Sequence, residues 1–470
     1  MRRLLIGPIR YLRNLGRDAR AAWDQFAFAP ADPTPLGVVR VAAGALAFWT
    51  VFVYGLDLHA YLGSDGWMSP MAVRQAFEGR PAAWSFWWLV PDGLLRPAWV
   101  ACLVILALFT VGLWSRVTAV LAWAIVVSTA RRAPASLYGF DQINSTWLLY
   151  LAATGASGRA VSLDRFLARF KRHRLELVRR PKSGQWTPSS GVPEPSVAAN
   201  LALRLIQCHL VFIYAMAALA KFQGQAWWTG NAFWGIAAAG EFRLFDLTWL
   251  AAYPTLIQLF THTGLALELG YPVLVWVRPI RPLMMTLIVL MHVGIGLTLG
   301  LTEFSLAMIA GNLAFCDGRW LRSLVAGREP GKPAGRVLYD GACPRCRASM
   351  ALITAGDPDR LVEPVDLTSV DVAKVHPSLT KESCLRAMHL VRADGRVESG
   401  YDAVMTVLGW TPPFWPLSLV RHVPGISAIG RRVYRAIADS RPRDAVCNDE
   451  VCGLHPHTPA DRAKTGRAAR

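Results

Sequence analysis

Residues 337–346 read Val-Leu-Tyr-Asp-Gly-Ala-Cys-Pro-Arg-Cys, and this stretch predicts a strand, a turn and the start of a helix. The first three residues have the composition of a short strand, and the Asp-Gly pair is a turn signal. Good helix formers follow, and the proline between the cysteines suits a first helical turn, where one backbone N–H lacks a partner. Cys343 is therefore predicted at a helix N-terminus, whose partial positive charge favours a thiolate, with Cys346 one turn further on.

This Cys-x-x-Cys unit is interpreted as a redox dithiol, in which the second sulfur resolves a mixed disulfide. Zinc is the first alternative, because Cys447 and Cys452 form a second pair, followed by His455 and His457. That pair lacks Cys-x-x-Cys spacing and lies about 100 residues away, which is more than a small zinc module uses, so no metal is expected. Inert buried cysteines are the second alternative.

A family resemblance rests on the Y-D-G-x-C-P-x-C run, on Gly400-Tyr-Asp-Ala and on Ile437-Ala-Asp-Ser-Arg. Together these motifs resemble the DCC family of thiol-disulfide oxidoreductases over residues 335–443. The resemblance implies a small α/β thioredoxin-like domain with Cys343 and Cys346 as the catalytic pair. A thiol or disulfide protein, or a small redox molecule, is the implied partner.

The composition is that of a polytopic membrane protein: 53% of the residues are hydrophobic, 17% are charged, and the mean hydropathy is +0.30. An α-helical membrane domain of about eight spans is predicted. The candidate spans are 36–56, 97–114, 117–133, 142–157, 200–221, 249–276, 282–300 and 302–316. The net charge of +18 is attributed to basic segments beside the spans. The predicted partner of those segments is a bilayer with anionic lipids, and no nucleic acid is expected.

The basic segments predict the topology. With eight spans, the leader and residues 159–182 fall on one face, which the positive-inside rule makes the cytoplasm. Both termini are then cytoplasmic, in a bacterial-type inner membrane, and residues 183–196 are predicted to be a flexible loop. The predicted domains are a basic amphipathic leader (1–29), the membrane domain (30–318), a linker (319–334), the thioredoxin-like domain (335–443) and a basic tail with a cysteine pair (444–470).

Two ionisable residues stand out in the apolar spans, since such residues usually pair or have a function. Lys221 ends the fifth span, where it is a candidate base or simply extends to the membrane surface. His292 lies deep in the seventh span, where a structural hydrogen bond is the alternative role.

The segments around these two residues resemble the HTTM domain, which is shared with the vitamin K-dependent gamma-carboxylase. This resemblance implies catalytic roles for Lys221 and His292 and a quinone of the vitamin K type as cofactor. The whole sequence thus predicts a membrane-bound thiol-disulfide oxidoreductase coupled to a quinone or another lipid-soluble substrate. The alternative function is a non-catalytic membrane binding or transport module that a redox-sensing domain regulates.

Overall fold

The computed structural model describes residues 2–79, 84–179, 186–240, 244–326 and 332–441. The chain divides into two compact units. The first contains Met1–Asp164 and Glu194–Gly318, and the second contains Arg165–Pro193 and Arg319–Arg470. The chain therefore crosses between the units three times.

The described elements of the first unit are helices, apart from one isolated β-bridge between Ala31 and Ser196. Its helices are α1 (Arg2–Phe28), α2 (Thr34–Tyr54), α3 (Leu58–Leu62), α4 (Pro70–Ala76), α5 (Leu95–Val111), α6 (Ser115–Arg132), α7 (Gly139–Thr154), α9 (Val197–Lys221), α10 (Gln225–Trp228), α11 (Ala232–Ala238), α12 (Pro254–Leu274), α13 (Arg281–Leu299) and α14 (Thr302–Asn312). Helix α8 (Leu163–Arg179) enters the second unit, and α15 (Gly318–Ala326) leads from α14 into it.

Four stretches of the described helices are long enough and apolar enough to cross a membrane. They are Thr34–Leu62, Asp92–Val111, Val197–Lys221 and Arg281–Leu299. The helical membrane character of this unit agrees with the sequence analysis, whereas the predicted count of about eight spans stays a prediction.

A charged residue inside the first of these stretches has a structural role. Arg40 is fully buried in α2, and its guanidinium donates to the carbonyl oxygens of Ser157 at 2.9 Å, Val161 at 2.5 Å and Thr110 at 3.3 Å. These bonds compensate the cost of removing the charge from water. Arg40 thus ties α2 to the last turn of α5 and to the segment that follows α7.

The second unit is a small mixed α/β domain, as predicted. Its elements are β1 (Gly335–Tyr339), α16 (Pro344–Gly356), β2 (Val362–Asp366), α17 (Val372–Val375), α18 (Lys381–Arg386), β3 (His389–Arg392), β4 (Val397–Ser399), α19 (Gly400–Trp410), α20 (Trp415–Ser418) and α21 (Ile426–Asp439). The strand order is β2-β1-β3-β4. Strands β1 and β2 are parallel, while β1–β3 and β3–β4 are antiparallel.

Strand β1 lies between β2 and β3 in the sheet, and four of its five residues are buried. Val337 and Tyr339 pack into one core, which α16 and α19 help to form, and Leu338 packs into the core on the other face. This alternation follows from the two-residue period of a strand. The sheet places the end of β1, and hence the Cys-Pro-Arg-Cys unit, beside the end of β2, where Tyr339 pairs with Asp366.

The segment that lies between α7 and α9 in the sequence belongs to the second unit. Helix α8 and residues 186–193 group with the sheet domain, and Leu177 and Trp186 are buried in the same core as Val337. The predicted boundaries assigned these residues to the membrane domain and described 183–196 as a flexible loop. Residues 186–193 of that loop group with the α/β domain, whereas residues 194–196 group with the first unit.

The predicted linker is described in part, and the predicted tail (444–470) lies outside the described residues. Helix α15 occupies the first half of residues 319–334, and there the buried Arg322 donates to Asp359 at 3.1 Å. The tail residues Cys447 and Cys452 lie outside the described residues, so the zinc alternative for them stays open.

Candidate functional site

The Cys-Pro-Arg-Cys unit forms the first turn of α16, as the sequence predicts. Cys343 has extended backbone angles (φ −93°, ψ 117°) and is the N-cap residue, with Pro344 following at the first helical position. The sulfur of Cys343 accepts a hydrogen bond from the backbone N–H of Cys346, at 3.3 Å. A sulfur thus occupies the position that a Ser or Asp oxygen takes in most helix caps, and it lies at the positive end of the helix dipole.

Two buried carboxylates shape the turn that precedes this cap. Asp340 accepts from the backbone N–H of Ala342 at 3.0 Å, and Asp366, at the end of β2, accepts from that of Gly341 at 3.1 Å. A Cβ atom at position 341 would collide with the Asp366 carboxylate, so the turn requires glycine. These contacts fix the direction in which the chain enters α16.

The two thiols differ in acidity. A hydrogen bond from the Cys346 side chain, together with backbone N–H groups of the helix start, lowers the pKa of Cys343 from 9.0 to about 6. The same hydrogen bond and burial raise the pKa of Cys346, and Arg441 opposes that increase. Near pH 7 Cys343 is therefore the thiolate and Cys346 its hydrogen-bond donor.

The accessibility of the two sulfurs is the reverse of what a simple nucleophile needs. Cys343 has 0% of its surface exposed, whereas Cys346 is partly exposed. The guanidinium of Arg441 lies over Cys346, with Nη1 at 3.7 Å from the sulfur. Arg441 also donates to the carbonyl oxygens of Leu385 at 2.9 Å and Arg386 at 2.6 Å, and these bonds hold its charge in place.

Helix α21 brings Arg441 to this position. Its Tyr434 hydroxyl accepts from the backbone N–H of Met388 at 2.9 Å, beside the start of β3. Just beyond the helix, Ser440 accepts two hydrogen bonds from Arg345, at 3.1 Å to its carbonyl and 3.0 Å to its hydroxyl. The sequence analysis did not select Arg441 as a site residue, although it ends the Ile437-Ala-Asp-Ser-Arg motif quoted above.

Helix α8 contacts the C-terminal end of α16. Arg169 on α8 donates to the carbonyl oxygens of Ala355 at 2.8 Å, Thr354 at 2.9 Å and Asp357 at 3.2 Å. His173, one turn on, bonds to the Thr354 hydroxyl at 3.0 Å, and burial lowers its pKa to about 4, so it is neutral. A cation at a helix C-terminus stabilises the helix and satisfies its last carbonyls.

In the first unit, the two predicted residues each have a protein partner. Lys221, at the end of α9, forms an ion pair with Glu268 on α12 and lies 5.1 Å from the ring of Trp227. His292 on α13 is buried, and its Nε2 is 2.8 Å from the Tyr214 hydroxyl on α9.

Lys221 and the Tyr214 partner of His292 lie at different heights along α9. Tyr214 precedes Lys221 by seven residues, which is about 10 Å along the helix. The structure therefore brings Cys343 and Cys346 together but gives Lys221 and His292 no shared hydrogen-bond partner among its described contacts. Their catalytic roles stay predictions.

Comparison with known proteins identifies both parts of the chain. Residues 337–444 match the family model "DCC1-like thiol-disulfide oxidoreductase", and residues 193–320 match the HTTM domain model. No curated protein and no solved structure gives a significant match. The HTTM match covers the C-terminal half of the predicted 30–318 range. Together with the apolar helices, these matches describe a redox-related membrane protein with an HTTM domain followed by a DCC1-like domain.

Proposed function

We propose that the protein is a membrane-bound thiol-disulfide oxidoreductase with Cys343 as nucleophile and Cys346 as resolving thiol. The observation that carries the proposal is the N-cap position of Cys343, with its sulfur bonded to the Cys346 N–H at 3.3 Å and its pKa lowered to about 6. Depressed thiol pKa values at helix N-termini are typical of reactive cysteines and not of inert buried ones. The β1–α16 arrangement also agrees with a thioredoxin-like domain.

The proposed reaction has two exchange steps. The Cys343 thiolate attacks one sulfur of a substrate disulfide, forming a mixed disulfide and releasing the other substrate sulfur as a thiolate. Cys346 then gives its proton to the released substrate thiolate and attacks the Cys343 sulfur, which forms the Cys343–Cys346 disulfide and releases the second substrate sulfur as a thiolate. Two electrons pass from the protein dithiol to the substrate disulfide, and the reverse sequence oxidises a substrate dithiol.

Access to the buried Cys343 has to be provided by movement of the chain around it. The two residues that follow α21 contact the Cys-Pro-Arg-Cys unit. Ser440 bonds to Arg345, and Arg441 lies over the partly exposed Cys346. We expect substrate to displace this end of the chain, so that reaction rates are lower than thiolate acidity alone predicts.

The pH dependence of alkylation tests the proposal on the full-length protein. The rate at Cys343, followed by mass spectrometry, is expected to rise with pH to a plateau with a midpoint near its pKa of about 6. The buried Cys384 of the same domain is the internal control, because burial raises its pKa. In the Cys346→Ala variant the largest cause of the lowered pKa is gone, so the Cys343 midpoint should move upward.

A Cys343 midpoint at or above the ordinary thiol value of about 8.5 would remove the case for a redox nucleophile. The function would then be the alternative one, a membrane binding or transport module with a non-catalytic second domain. If the midpoint is low but the protein turns over no dithiol or disulfide substrate, a redox-sensing role is favoured instead.

The location of the dithiol is part of the proposal. We place both termini in the cytoplasm of a bacterial-type cell, on the basis of the basic leader and the Lys/Arg-rich residues 159–182. A reducing compartment would keep Cys343 and Cys346 as thiols, which favours a reductase.

Coupling to a quinone or another lipid-soluble substrate in the first unit is a second, separate proposal. Its support is the buried polar pair formed by Tyr214 and His292, and the ion pair of Lys221 with Glu268, inside apolar helices. Such groups are costly in a membrane interior and usually mark a functional position.

A further inference from the structure

The last helix of the α/β domain exposes a stripe of apolar side chains. Ile429, Val433 and Ile437 of α21 are 59%, 53% and 55% exposed. Because they are four residues apart, they lie on one face of the helix. The opposite face is used by the domain itself, through Tyr434 and the buried Ala438.

The segment that precedes α21 exposes further aliphatic side chains. Leu417, Leu419 and Val423 are also about half exposed, at 54%, 51% and 48%. We call these three residues, with Ile429, Val433 and Ile437, the apolar face. Six large aliphatic side chains exposed within about 20 residues are more than a soluble surface needs, and such a patch marks an interaction site.

Basic residues border the apolar face. Arg432 and Arg435 are exposed. At about 100° of rotation per residue, Arg432 lies beside Ile429 on one flank of the stripe, whereas Arg435 lies on the polar side of the helix. Arg421 is exposed in the preceding segment, whereas Asp439 is the acidic residue of the helix. An apolar stripe beside arginines is the pattern of a helix that lies in the interface of an anionic bilayer.

We propose that the apolar face docks on the surface of a bilayer containing anionic phospholipid. Charge complementarity selects this occupant, because arginines beside an aliphatic stripe match phosphate headgroups above acyl chains. The connectivity of the chain supports the same occupant. The α/β domain is joined to the first unit, which contains the apolar helices, at three points, after residues 164, 193 and 318. A bilayer is therefore always present at a high effective concentration.

Docking would bring the dithiol to the membrane surface. Helix α21 continues directly into Ser440 and Arg441. Ser440 accepts a hydrogen bond from Arg345, and Arg441 lies 3.7 Å from the Cys346 sulfur. If the protein acts as the proposed oxidoreductase, its disulfide or dithiol substrate is then located at the bilayer interface, and this consequence rests on the proposed function. The docking itself needs no cysteine chemistry.

A photo-crosslinking amino acid at position 433 tests the docking, with the full-length protein in nanodiscs. A matched probe at position 396 is the control, since Arg396 is 79% exposed in the β3–β4 turn, away from the apolar face. We expect phospholipid adducts at position 433, at several times the yield at 396, in nanodiscs of phosphatidylcholine with phosphatidylglycerol. The yield at 433 should fall in phosphatidylcholine alone.

Removing the flanking charge should weaken docking. In the Arg432→Gln variant the docking constant is expected to fall about five-fold, from about 1 kcal/mol for one basic residue. Adducts of the 433 probe with protein, yields equal to those at 396, or yields independent of phosphatidylglycerol would each overturn the proposal. A failure of thiol exchange would leave the adducts unchanged, so the two proposals fail separately.

Discussion

Replacing Arg169 by alanine tests whether the α8 segment is an integral part of the α/β domain. Its guanidinium is buried and donates to three carbonyl oxygens at the C-terminal end of α16. Its pKa is lowered to about 10 by burial, so it is still charged near pH 7. In the alanine variant all three carbonyls lose this partner at once.

The expected loss of stability follows from these contacts. The Thr354 carbonyl keeps a partner, because it also accepts from the backbone N–H of Asp357 at 3.4 Å. A buried polar group left without a partner costs about 1–3 kcal/mol, which gives an upper range of about 2–6 kcal/mol for the other two carbonyls. Part of this is offset, because the variant no longer has to remove a charge from water. We expect a net loss of about 3 kcal/mol, which shifts a urea midpoint by about 1–3 M at ordinary m-values.

The assay is urea-dependent alkylation of Cys384, which is 1% exposed in the core of the same domain. Arg174→Ala is the matched control, because Arg174 lies on the same helix but is exposed. The Arg174 variant should unfold at the wild-type midpoint. Equal midpoints for both variants would refute the reasoning, since a segment that merely connects two helices contributes nothing to the stability of α16.

Two further predictions concern the reacting groups. Arg441→Met removes the cation that lies 3.7 Å from the Cys346 sulfur and favours its thiolate. Cys346 should then resolve mixed disulfides at Cys343 more slowly, while the alkylation midpoint of Cys343 stays low. Unchanged resolution kinetics would remove Arg441 from the mechanism. Lys221→Arg keeps the charge and His292→Gln keeps hydrogen bonding, so the quinone proposal predicts that both variants insert normally and lose quinone-dependent turnover. Full turnover in both, at normal protein levels, would leave the first unit as an anchor or binding module.

Local sequence was sufficient for the start of α16. The turn before Cys343, the proline after it and the helix formers that follow act over a few residues, so the capping position of the cysteine could be predicted. Composition was likewise sufficient for the membrane character, because the cost of placing polar residues in lipid restricts a whole segment and not a single contact.

Only the tertiary structure decided what surrounds the dithiol. Cys346 and Arg441 are 95 residues apart, and Arg169 and Thr354 are 185 residues apart. No periodicity or spacing in the sequence reports such contacts, since they depend on how the elements pack and on where a guanidinium finds buried carbonyls. The same holds for the burial of Cys343, because a cap position sets the direction of its sulfur but not whether that sulfur is exposed to solvent.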